Sequence, residues 1–163
     1  MTIFEWLQAT SFGIAVRESL WLYPFFEILH LVGIALLVGS IAMTDLRLIG
    51  LSRALPVTLT ARHMLPWTWL GFALVTVSGL SLFSGFAVDY AVNTAFQVKL
   101  LLIALAGANA ALFHWRVFRS VADWNQLVAS PAAARLCAAL SIALWLSVIS
   151  AGRLIAYTGA GKD

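Results

Sequence analysis

The chain has 163 residues, of which 62% are hydrophobic and only 10% charged, and its mean hydropathy is +0.94. A soluble domain carries about a quarter charged residues, so this chain cannot cover itself with polar surface in water, and lipid is its expected solvent. The single cysteine, Cys137, excludes an intramolecular disulfide framework and a cysteine-based zinc site, and a net charge of +3 without any basic cluster argues against nucleic acid as a partner.

In chain order, residues 1–19 come first. Ile3, Phe4, Leu7 and Ile14 alternate there with Glu5, Gln8, Arg17 and Glu18. This mixture predicts an N-terminal interfacial amphipathic segment. A signal peptide is not expected, because a basic n-region and a small-residue cleavage site are both missing. Residues 20–158 then read as a four-helix transmembrane domain with spans near 22–44, 64–86, 95–116 and 136–156, followed by a short tail, 159–163. The second span carries no charge, the first is interrupted only by Glu27, and Lys99 and Arg153 mark the third and fourth. Each span must be helical, since lipid offers no partner to an unpaired backbone group. The fold class is all-α: a polytopic membrane protein, four helices in an up-down bundle, with a short N-terminal interfacial helix.

Loop charge predicts orientation. Arg47, Arg53 and Arg62 fall between spans one and two, and Arg116, Arg119 and Arg135 between three and four. Arg17, Arg153 and Lys162 fall on the other side. Six against three favours both termini outside the cytoplasm, and a bacterial inner (cytoplasmic) membrane is the expected location.

An ionisable residue inside a span costs about 2.5–3.5 kcal/mol on insertion scales, so those that occur point to function. Glu27 and His30 share a face of span one. Asp45 lies eighteen residues beyond Glu27, five turns further on the same face and ~27 Å along the helix. One stripe thus carries an acid near each membrane face and a histidine between them. Lys99 and Arg153 fall at the outer level with Glu27 and His30, while Asn109 lies deeper on span three.

His63 opens span two and His114 nearly closes span three, so both fall at similar depth on antiparallel helices. Two such imidazoles can hold a haem iron from both axial sides. Gly107, Ala108, Ala110 and Ala111 leave room for the macrocycle, and Arg62 or Arg116 can pair with its propionates. The plainer readings stand beside it: His63 as a solvated boundary residue, His114 as a bundle histidine satisfied by a carbonyl or by Asp45, His30 as a structural partner of Glu27. No phosphate loop, metalloprotease helix, nucleophile elbow or cysteine pair is present. Met1, Met43 and Met64 do not form a thioether cluster for Cu(I).

The runs Phe26–Gly33, Asp45–Gly50, Leu65–Trp69, Phe96–Lys99, Asn109–His114 and Gly152–Ile155 resemble small uncharacterised four-span bacterial inner-membrane proteins, over about residues 20 to 157. The resemblance implies that Glu27, His30, Asp45, Arg47, Lys99 and His114 belong to the shared pattern. More distantly, the histidine-bearing layout is similar to cytochrome b561-like proteins and to the membrane domain of copper-resistance D proteins.

Three functions follow as expectations. The first is a membrane protein carrying haem b, passing electrons between quinone and a partner, with His63 and His114 as iron ligands. The second is a copper or proton transporter using Glu27, His30 and Asp45. The third is an accessory subunit of a larger membrane complex or a homo-oligomer. Whether the chain is an enzyme is left open beyond a quinone-linked redox role.

Overall fold

A computed structural model describes residues 1–158. Two short helices lead the chain, α1 (Ile3–Gln8) and α2 (Ser11–Glu18), followed by α3 (Leu22–Ile49), α4 (Val57–Gly85), α5 (Ala87–Val92), α6 (Thr94–Leu112) and α7 (Ala132–Thr158). Beyond α6 the helix changes pitch, first to a π-helical turn, Phe113–Val117, then to a 3₁₀ stretch, Phe118–Asp123. No strand occurs among the described residues. Four helices are long and apolar enough to cross a membrane: α3, α4, α6 with its continuation to Asp123, and α7. The tail 159–163, with Lys162, lies outside the described residues.

The leading segment forms two helices because it holds two capping signals. Thr2 and Glu5 make a reciprocal capping box at α1, and the Thr10 hydroxyl accepts the Gly13 N–H to start α2. Two spans run longer than hydropathy suggested. α3 continues past Thr44 through Asp45 and Arg47, and stops only at Gly50, whose φ of +131° suits a residue without Cβ. α4 begins at Val57, directly after Pro56, seven residues before the expected 64.

α3 packs along α4 and also against α7, and α6 packs on α7. The α3–α4 crossing is the tightest. A Cβ on Gly71 would strike the Leu37 amide and come within 2.9 Å of the Gly33 carbonyl, while one on Gly33 would meet the Val75 amide at 2.9 Å. Small residues let the two backbones touch, which is how helices associate where lipid supplies no hydrophobic drive.

Two ends of the bundle can be distinguished. The loop end carries the connections 50–56 and 124–131, and there Leu48, Val57, Phe113, Trp124, Ala134 and Ala138 form a buried cluster. Arg47 ties it together. Its guanidinium donates to the carbonyls of Leu55 (2.6 Å), Arg53 (3.3 Å) and Asn125 (3.1 Å), so one α3 side chain holds both loops. Counted from sequence as a loop charge, Arg47 is a helical residue only 3% exposed. The terminal end carries α1, α2 and α5. Val16 of α2 is fully buried against Gly85 of α4. Phe83, Tyr90 and Phe96 stack nearly parallel, with centroids 5.4–6.3 Å apart, joining α4, α5 and α6. Only 11–22% of each spanning window is buried within the chain, so most of the helix surface is apolar and outward-facing, as contact with a bilayer requires.

Candidate functional site: polar residues inside the bundle

The polar groups that enter the bundle lie chiefly along α3. His30 is half-buried, and its Nδ1 lies 3.0 Å from the Ser78 hydroxyl of α4. Ser78 donates its own proton to the Leu74 carbonyl. Its oxygen can therefore accept from the imidazole, and the Val75 carbonyl stands by the same ring as a second acceptor. Gly79 makes the space: a Cβ there would lie 3.1 Å from the His30 Cε1. Lys99 of α6 faces His30 electrostatically across the bundle, and its side chain lies along Gly152 of α7, where a Cβ would sit 3.6 Å from Nζ. Ten residues further along α3, the Ser40 hydroxyl meets Thr68 of α4 at 2.8 Å. Asp45 follows, 7% exposed, with Ser141 of α7 beside its carboxyl. Among the described residues its Oδ2 has no hydrogen-bond partner, and no cation pairs with it within 4 Å.

The other predicted residues separate into two groups. Glu27 shares the Asp45 face by helical period, yet it is exposed at the terminal end. It faces Tyr90 of α5, a phenol whose pKa is raised first by burial and then by Tyr23, Glu27 and Asp89 around it. Arg153 is exposed, donates to the Tyr157 hydroxyl (3.1 Å) and lies over that ring. Asn109 is buried, and its Nδ2 donates to the Cys137 carbonyl (2.9 Å), joining α6 to α7. His63 and His114 are both exposed, and each ring bonds to its own helix. Nδ1 of His63 meets the Leu59 carbonyl at 3.1 Å, and Nδ1 of His114 meets that of Ala110 at 2.9 Å. His114 thus bonds to a carbonyl rather than to Asp45. It is the second residue of the π-helical turn, after Phe113, and such turns recur at functional sites. Arg62 is exposed, and Arg116 is exposed over the Trp115 ring. No group of three or more His, Cys, Asp or Glu that could hold a metal ion occurs among the described residues.

Residues 3–158 match the model of a Family of unknown function (DUF6644). The chain belongs to this family. No curated protein and no solved structure matches, and nothing links this DUF6644 chain to cytochrome b561-like or copper-resistance D proteins. What the comparisons show is membership of an uncharacterised family.

Sequence reasoning missed Ser78 and Ser141, the α4 and α7 hydroxyls that meet His30 and Asp45. A signal for Ser78 existed. Gly71, Ser78, Ser81 and Gly85 recur at helical spacing within the otherwise apolar α4, and all four are buried in this DUF6644 chain. Small and hydroxyl residues at that period mark the packed face of a membrane helix. Ser141 had no comparable pattern around it.

Proposed function

We propose that this chain is an intramembrane proton-handling protein in which His30 and Asp45 are the two exchange points. The observation that carries the reading is Asp45: a buried carboxyl in a spanning helix, with one oxygen unpartnered and no cation beside it. A structural acid in such a place would be expected to hold an arginine, a lysine or two donors. Acids and histidines inside a bundle are the parts from which proton relays are made. His30 supports the reading because it is an imidazole held inside the bundle by Ser78, and an imidazole can take up and release a proton. The two points lie ~22 Å apart along α3. Between them stand the Ser40–Thr68 pair and the tight Gly33–Gly71 crossing, so a proton passing from one to the other needs water or a movement of α3 against α4. Vesicles containing the purified protein and a trapped pH dye test this: an imposed potassium diffusion potential should drive proton entry faster than into empty vesicles. Equal rates would overturn the proposal. Copper is the other cargo the same stripe suggests, and metal analysis of the purified protein decides it.

A second reading keeps haem b at His63 and His114, with a membrane quinone as electron donor or acceptor. What supports it is the Nδ1–carbonyl bond of each imidazole, because histidines that ligate iron commonly bond a carbonyl with one nitrogen and the metal with the other. Arg62 and Arg116 lie two residues or fewer from those histidines, available to propionates. Protein from haem-replete cells should then be red, with a reduced α band that His114→Ala abolishes; a colourless preparation removes the reading. The accessory-subunit alternative requires a stoichiometric partner on purification. We propose from loop charge that both termini lie outside the cytoplasm, and from the resemblance to four-span inner-membrane proteins that the membrane is a bacterial inner one.

A further inference from the structure

Leu127 sits where a leucine is out of place. Its φ is +62°, in the left-handed region that a bulky residue rarely enters, and it is 73% exposed. Ser52, in the facing loop, has φ +51°, and among the described residues no other non-glycine residue has a positive φ. Such a backbone costs energy and persists only where its surroundings impose it. Here the two loops impose it on each other. The Leu127 N–H donates to the Arg53 carbonyl (3.0 Å), the Gln126 side chain to that of Ala54 (2.8 Å), and the Val57 N–H to that of Asn125 (2.9 Å). Arg47 bonds both loops from within. Residues 50–56 and 124–131 thus form one fixed platform, and its Leu51, Leu55, Leu127 and Val128 are all exposed.

Height, charge and symmetry decide what covers it. Exposed tryptophans mark a membrane interface, and on the loop side of α4 they are Trp67 and Trp69. From Trp67 to Gly85 the helix covers ~27 Å, close to a hydrocarbon core of about 30 Å. Val57 lies ten residues before Trp67, ~15 Å further out. The apolar platform therefore stands clear of the acyl chains. Arg53, Arg62, Arg116, Arg119 and Arg135 are exposed at this end, and among the described residues none is in an ion pair and Asp123 is the one exposed acid beside them. Copies inserted in one membrane point the same way, so two such ends cannot meet tip to tip, and side by side they would set arginine against arginine.

We propose that loops 50–56 and 124–131 are a preformed docking platform for an acidic, apolar-faced segment of another protein. Leu127, the most exposed of the four apolar residues, is the leading contact, and the arginines of this end steer the approach. Holding the loops in one shape before the partner arrives lowers the ordering cost of binding, which is what the left-handed Leu127 and Ser52 serve. The inference goes beyond proton handling and does not require that Asp45 pass protons.

Photoreactive benzoylphenylalanine placed at Leu127 or at Leu51, in cells that make the full chain at its natural level, tests this. Leu20, exposed at the terminal end, is the control position. Both loop positions should give an adduct to one and the same protein, in a peptide rich in Asp and Glu, and Leu20 should not. Leu127→Gly suits the left-handed backbone, so it should unfold no earlier than wild type. It should nevertheless lower the adduct formed from Val128 about tenfold, as loss of a leading contact does. Adducts to lipid alone, adducts to a second copy of the chain, or no adduct beyond that at Leu20 would overturn the proposal. An unchanged yield from Val128 in Leu127→Gly would do the same.

Discussion

Asp45 and Arg47 stand two residues apart at the loop end of α3, and both are buried, with Asp45 Oδ2 and Arg47 Nη1 each left without a hydrogen-bond partner among the described residues. Arg47 finds three carbonyls, and Asp45 finds one hydroxyl neighbour and an empty side. A guanidinium donating to the backbone of two loops is a structural device, since those carbonyls sit where no ladder can satisfy them. Arg47→Ala should therefore lower stability by about 3 kcal/mol, read as an earlier thermal unfolding transition in detergent, whereas Arg62→Ala, on the exposed side of α4, should leave it unchanged. Sequence alone singled out Asp45 and His30 as polar groups in or beside a span, because charge in an apolar run is conspicuous. It could not separate Arg47 from a loop arginine, because the difference is made by carbonyls at Arg53, Leu55 and Asn125 that only the folded loops bring together.

At the scale of elements, the crossing of α3 over α4 sets the register in which His30 meets Ser78 and Ser40 meets Thr68. Gly71 is its pivot. Gly71→Val would force the helices apart, costing about 1–3 kcal/mol in stability and breaking both hydroxyl contacts; a shift in the His30 ring signals by NMR would report the second effect. Gly107→Val, at a position with open space around it, should cost far less, which separates crowding from a general effect of valine in a helix. Hydropathy found α3 and α4 as elements but misjudged their loop-side ends. Asp45 and Arg47 read as exit from the membrane, and Arg62 and His63 as entry, although the helices run from Leu22 to Ile49 and from Val57 to Gly85. The separation of His63 and His114 from His30 in depth was legible, but that both imidazoles are exposed and bond to their own helices was not. Depth along a helix is legible from residue count, but the direction a side chain faces depends on which neighbours pack against it.

For the whole molecule, the decisive quantity was the low charge, and the four spanning helices account for it. The few charges that remain divide by task. Exposed arginines of the loop end predict which side faces the cytoplasm. A cysteine introduced at Leu127, in a Cys137→Ser background, should react with an impermeant thiol reagent only after cells are opened, while one at Ser11 should react in intact cells. Charges inside the bundle predict chemistry, and Asp45 predicts it most sharply. Asn matches Asp in shape and cannot carry a proton, so the pair isolates the proton from the fold. Proton entry into vesicles containing wild-type or Asp45→Asn protein, at equal protein content and under the same imposed potential, is the direct measurement. Asp45→Asn should fall to the rate of empty vesicles while unfolding no earlier than wild type; an unchanged rate in Asp45→Asn would contradict a proton-carrying role for Asp45.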